Sequence, residues 1–134
     1  MSQGTDVIQK LKDAVAGLYW MSESDFPFQV VKWSLPALTV PDLLTYLDRP
    51  PEIMVKTITV NDWFQRAIEP QTWHNVEEAA TVRRYRQLLT LLESQLTELQ
   101  VFKLEASAGT FDIYILGWIE PGWVAGLVTQ VVET

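Results

Sequence analysis

A chain of 134 residues with 48% hydrophobic and 20% charged side chains is long and apolar enough for one domain with a real core, which excludes intrinsic disorder. Its formal net charge of −7 argues against a nucleic-acid-binding protein, which needs a basic footprint, and is compatible with a basic partner. There is no cysteine, hence no disulfide or thiolate chemistry. The start, MSQGTDVIQKLKD, lacks the basic and apolar regions of a secretory signal, and no apolar run approaches the ~20 residues that cross a bilayer. The expectation is a soluble, cytoplasmic protein whose residues 1–134 form a single domain.

In chain order, Thr5 or Asp6 can cap a helix that carries Ile8, Leu11, Val15 and Leu18 on one face. Gly17 is its expected stop, with Leu18 able to continue the last turn. A polar loop follows, Ser22-Glu23-Ser24-Asp25, walled by Tyr19, Trp20, Met21, Phe26 and Phe28. Such apolar anchors bury ~1.5–3 kcal/mol each, so the loop is expected to be held in place. Its ordinary reading is a connection whose Ser and Asp side chains satisfy backbone groups. Phe26 to Ser34 reads as a strand with both faces partly buried.

Thr39-Val40-Pro41-Asp42 starts a short helix with Leu43, Leu44 and Leu47, ended by Arg49-Pro50-Pro51. Ile53 to Val60 alternates as a strand. Thr59 or Asn61 can cap another short helix containing Trp63, Phe64 and Ala67, which Pro70 closes. Asn75-Val76-Glu77-Glu78 reads as a capping box. From it a long helix runs to about Leu99 on the stripe Ala79, Val82, Tyr85, Leu89, Leu92, Leu96 and Leu99, with Arg83, Arg84, Arg86, Glu93 and Glu98 on a solvated face. Three strands finish the chain: Val101 to Glu105, Thr110 to Ile119 and Trp123 to Val132, joined at Ala108-Gly109 and Pro121-Gly122. Gly117 and Gly126, inside strands, suggest a bulge or close packing. Neighbouring strands joined by short turns, with one-sided helices, predict an α+β fold. Its expected form is a three-layer α/β/α sandwich around a mainly antiparallel sheet.

Catalytic signatures are sparse. His74 is the sole histidine, so no His–His or His–Cys metal site can form, and no nucleophile elbow accompanies it. The six glycines are scattered and form no phosphate loop. Glu77 and Glu78 are explained by the helix N-terminus they occupy. Glu23 and Asp25 have no such local reason, yet nothing marks a substrate pocket around them. The residues favour a binding protein over an enzyme, with no cofactor of its own.

The stretch Met21-Ser22-Glu23-Ser24-Asp25-Phe26-Pro27-Phe28 resembles the MSES-x-x-PF signature of the nuclease A inhibitor family (NuiA-like proteins). Phe64 with Arg66-Ala67, Pro70-Gln71-x-Trp73, Glu77-Glu78 and Leu88-Leu89 follow in the family's order. So do Asp112-x-Tyr114-x-x-Gly117, Gly122, Ala125-Gly126 and the ending Val131-Val132-Glu133-Thr134. Each motif is weak alone; their shared order makes the resemblance specific, and it departs most between about residues 31 and 60. It implies a small α/β/α protein, not an enzyme, that blocks the active site of a Mg-dependent, sugar-non-specific DNA/RNA endonuclease and so shields the producing cell. By position, Glu23 matches the acid inserted at the catalytic centre, and Gln71 and Trp73 match interface positions. Thr134 matches the terminal residue that approaches the partner's Mg. Thr72 stands where the best-known member of the family has an acid. The implied partner is a nuclease with a basic cleft, bound by a monomer, with no nucleic acid or membrane contacted directly. The alternative is an interaction module of the same fold whose partner has changed or been lost.

Overall fold

The computed structural model describes residues 3–21, 25–68 and 76–133. Helix α1 (Gln3–Val15) buries Val7, Leu11 and Val15, four residues apart, as one stripe. It starts ahead of the expected cap at Thr5 or Asp6; both fall in its first turn, where an acid suits the positive end of the helix. Gly17 ends it with a φ of 70°, and the Leu18 N–H donates to Val15 O at 2.9 Å. Leu18 therefore leaves the helix instead of extending it, and is buried.

Beyond Gly17 the flanks of the expected loop are strands, while its residues 22–24 lie outside the described residues. Two short strands, β1 (Tyr19–Met21) and β2 (Asp25–Pro27), pair antiparallel with Met21 opposite Asp25. The single strand predicted over Phe26 to Ser34 is thus two, since β3 (Gln29–Ser34) belongs to a different sheet. Pro27, which has no N–H to give a ladder, and the buried Phe28 mark the switch.

Helix α2 (Val40–Tyr46) is capped by Thr39, whose hydroxyl accepts from the Asp42 N–H at 3.4 Å, with Pro41 in the first turn. Strand β4 (Val55–Ile58) is shorter than predicted. Ile53 closes a turn onto Pro50 O, and Thr59, of the two capping candidates, caps α3 (Val60–Ile68) by accepting from the Asp62 N–H at 3.2 Å. Helix α4 (Val76–Gln95) stops short of the predicted Leu99, and β5 (Thr97–Ser107) starts before the predicted Val101. Leu92, Leu96 and Leu99 satisfy a helical stripe, while Leu99 and Val101 also satisfy strand alternation, so periodicity cannot locate the boundary. The turn itself sets it: Leu96 makes the last helical bond to Leu92 O, and Glu98 takes a φ of 54°. Gly117 makes room, since a Cβ there would lie 2.8 Å from Leu96 Cβ.

With β6 (Thr110–Glu120) and β7 (Trp123–Val132), the main sheet has the order β3-β7-β6-β5-β4 and every neighbouring pair is antiparallel. The fold is α+β, a five-stranded antiparallel sheet with four helices among the described residues. Strand alternation separates two apolar clusters. The larger joins α1, α3 and α4 to Val101, Ile113, Ile115, Ala125, Leu127 and Val131. The smaller joins Leu43 and Leu44 of α2 to Phe102, Leu104, Tyr114 and Leu116.

A polar cluster lies at the margin of the smaller one. Asp112, 7% exposed, accepts from Arg49 at 2.6 Å and from Gln130 at 2.9 Å, which fastens the segment after α2 to the sheet. The hydrogen bond to Asp112 holds the Arg49 guanidinium above its ordinary value against the opposing effect of burial. Burial pushes the Tyr114 phenol up, and the Asp112 carboxylate adds to that.

At Gly126 the strands approach so closely that a Cβ would stand 1.8 Å from Ile115 O. Backbone of a central strand cannot yield as a flexible side chain does. Gly126→Ala is therefore expected to lose at least about 3 kcal/mol in urea denaturation, the upper end of overpacking costs. Gly122→Ala, with nothing within 4 Å of the added Cβ but a φ of 83°, should cost less, about 1 kcal/mol.

Candidate functional site

The β1–β2 hairpin is fastened to the helical layer and to the sheet through several contacts. Trp20 is the centre of them. Its indole stacks on Trp63 of α3 at 4.8 Å and 18°, and meets Phe64 at 5.6 Å, Tyr85 at 5.5 Å and Phe28 at 6.2 Å edge-on. Aromatic pairs of this kind add ~0.5–1.5 kcal/mol each beyond the area they bury. Trp63 Nε1 is buried with no hydrogen-bond partner among the described residues, so stacking has to offset the cost of desolvating it.

Polar bonds fix the hairpin's two strands. The Tyr85 hydroxyl donates to Tyr19 O, and the Thr129 hydroxyl of β7, on a residue 3% exposed, reaches Pro27 O at 3.0 Å. Arg84, expected on a solvated face, instead turns back to donate to Ala14 O at 3.0 Å and Ala16 O at 2.7 Å. These are carbonyls at the end of α1, where a cation suits both the orphan acceptors and the helix dipole. Neighbouring residues of α4 thus hold the end of α1 and the start of β1.

The four predicted binding residues, Glu23, Gln71, Trp73 and Thr134, lie outside the described residues, as do His74 and Asn75. Their flanks are described. Residues 22–24 join the paired ends Met21 and Asp25 of the hairpin. Residues 69–75 join α3 to α4, the two helices whose Trp63, Phe64 and Tyr85 pack on Trp20. Thr134 follows Glu133, whose N–H donates to Gly109 O at 2.7 Å just past the end of β7.

These flanks converge on one end of the sheet. Thr110 opposite Val132 and Thr110 opposite Ser107 mark that end, and Thr129 brings the hairpin beside it. A single residue joins α4 to β5, and α4 packs on the sheet from Tyr85 to Leu92. The helix therefore runs back over the sheet, with Val76 toward the same end. Among the described residues of the flanks, Tyr19 and Val76 are exposed. Among the described residues no three or more His, Asp or Glu side chains gather as metal ligands, and no helix is long and apolar enough to cross a membrane. A groove on the outer face of α4, lined by Arg83, Gln87, Thr90 and Ser94, belongs to one helix alone and carries no acid–nucleophile pair.

The sequence model of the nuclease A inhibitor-like protein family matches residues 5–134. The chain belongs to the nuclease A inhibitor-like family. No curated protein matches it. The family match runs through the hairpin, both helices that carry it and the last strand. It also covers the divergent stretch from about residue 31 to 60, where α2 and β4 form part of the same sheet and its cover.

Reading the sequence alone missed the residues that support the hairpin. Thr129 interrupts an apolar strand run, which is a signal for a polar side chain with a specific partner. Arg84 and Tyr85 carried no such signal, because a helical face accommodates both types without comment. Tyr85→Phe removes the bond to Tyr19 O and leaves the ring. It should cost about 1 kcal/mol in denaturant unfolding. Faster amide exchange should appear in β1 while the centre of β6 keeps its protection.

Proposed function

We propose that this chain inhibits a Mg-dependent, sugar-non-specific DNA/RNA endonuclease by occupying its active site, and has no catalysis of its own. Membership of the inhibitor-like family across residues 5–134 carries the proposal. The fold supports it physically. A hairpin held at its base by Trp20, Tyr85 and Thr129 is a rigid mount for the segment between its strands, which contains Glu23. In this reading the Glu23 carboxylate takes the place of a substrate phosphate in the cleft, Gln71 and Trp73 contact its rim, and Thr134 offers an oxygen toward the partner's metal. Thr72, where an acid is expected, removes one charge from that rim.

The same reading takes residues 1–134 as one domain, acting as a cytoplasmic monomer on one nuclease, without touching nucleic acid or membrane. It takes the layers as α/β/α, which is supported by α2 joining one apolar cluster while α1, α3 and α4 join the other.

Titration into such a nuclease, followed by plasmid digestion, tests the proposal. The wild-type chain should abolish digestion near equimolar ratio. Glu23→Gln should weaken inhibition by roughly 2–5 kcal/mol, as for a desolvated charged pair, with an unchanged melting curve. Complete digestion at large molar excess of the wild-type chain contradicts inhibition, and points to a family module with another partner.

Charge makes a separate prediction. A chain at −7 is steered toward a basic cleft, and exposed charges are screened beyond ~8 Å at physiological ionic strength. Stopped-flow association should slow as salt rises while dissociation changes little. A flat association rate would reject steering.

A further inference from the structure

Past the end of β7 the chain is gripped by a side chain from two strands away. Lys103 of β5 lies on the face that carries Val101 and Phe111. Its ammonium sits 4.5 Å from the Phe111 ring centroid and 2.6 Å from Glu133 Oε2. The Lys103 side chain is only 15% exposed, whereas Glu133 is 52% exposed. The lysine thus reaches across β6, with its ammonium both over an aromatic ring and against the carboxylate of the residue after the last strand. The Glu133 N–H bond to Gly109 O supplies a second, backbone hold. Most segments beyond a terminal strand have neither.

We propose that Lys103 is a positioning residue for the neighbouring Thr134. By fixing Glu133 at both its backbone and its carboxylate, it sets the direction in which the chain leaves β7, and it keeps the Glu133 carboxylate engaged within the molecule. This inference rests on the proposed inhibition, in which Thr134 enters the nuclease cleft. Ordering Glu133, the residue before it, ahead of binding removes part of the entropic cost of the complex, and the gain appears in the lifetime of the complex.

The test is a set of five chains: Lys103→Met, Lys103→Arg, Glu133→Gln, a chain ended at Glu133, and Lys103→Met in that shortened chain, each compared with the wild type. In the free protein, the heteronuclear NOE of the Glu133 amide should fall in Lys103→Met and Glu133→Gln and be retained in Lys103→Arg. Against a Mg-dependent non-specific endonuclease, Lys103→Met and Glu133→Gln should dissociate about tenfold faster with unchanged association, and Lys103→Arg within about twofold of wild type. Lys103→Met should have no further effect once Thr134 is removed, an outcome that simple destabilisation does not produce. Glu133→Gln leaves the strand untouched, so it decides the matter if Lys103→Met fails to fold. Equal Glu133 order in all variants overturns the clasp. Equal acceleration with and without Thr134 overturns its action through that residue. A wild-type chain that binds no such nuclease defeats the functional reading instead, and the NMR comparison then judges the clasp alone.

Discussion

The packing of α4 along the sheet is the contact on which the rest of the molecule depends. Tyr85, Leu88, Leu89 and Leu92 join Ile113, Ile115 and Leu127 in one cluster that also takes in α1 and α3. Each such side chain contributes ~1.5–3 kcal/mol by burial, against about 1 kcal/mol for a typical hydrogen bond. Burial therefore decides where α4 lies, and the polar bonds follow from it. Once α4 is seated, Arg84 meets the end of α1 and Tyr85 meets β1. Trp20 then closes the gap between α4 and α3. The hairpin inherits its position from the core through one turn of one helix.

This arrangement gives several of the motifs singled out in the sequence a structural part. Asp112, Tyr114 and Gly117 serve the fold. Asp112 is satisfied by Arg49 and Gln130, Tyr114 belongs to the smaller apolar cluster, and Gly117 leaves space for Leu96. Gly126 serves it too, by admitting Ile115 O to its Cα. Residues 22–24, 69–75 and 134 lie outside the described residues. Their described flanks lie toward one end of the sheet.

Much of the fold was legible in local chemistry. Gly17 as a stop, Thr39 as a cap, and the turns at Gly109 and Gly122 follow from backbone preferences that tertiary packing did not overrule. The α4–β5 boundary was illegible because Leu96 and Leu99 fit two periods at once. Strand β1 was illegible because three residues, Tyr19 to Met21, are too few to show alternation, and they are strand only because Asp25 to Pro27 pair with them. The candidate binding residues are a different matter. Physics alone reads Glu23 as part of a polar connection and Trp73 as an aromatic in a turn. Only the resemblance in the order of motifs along the chain singles them out.

Hydrogen–deuterium exchange of the free chain and of its mixture with a Mg-dependent non-specific endonuclease tests the convergence of these segments most directly. The account predicts slowed exchange in peptides covering residues 19–27, 65–80 and 128–134 together, with α2 and β4 unchanged. Protection confined to α2 and β4, or protection of one of the three segments without the others, would contradict a single binding surface at that end of the sheet.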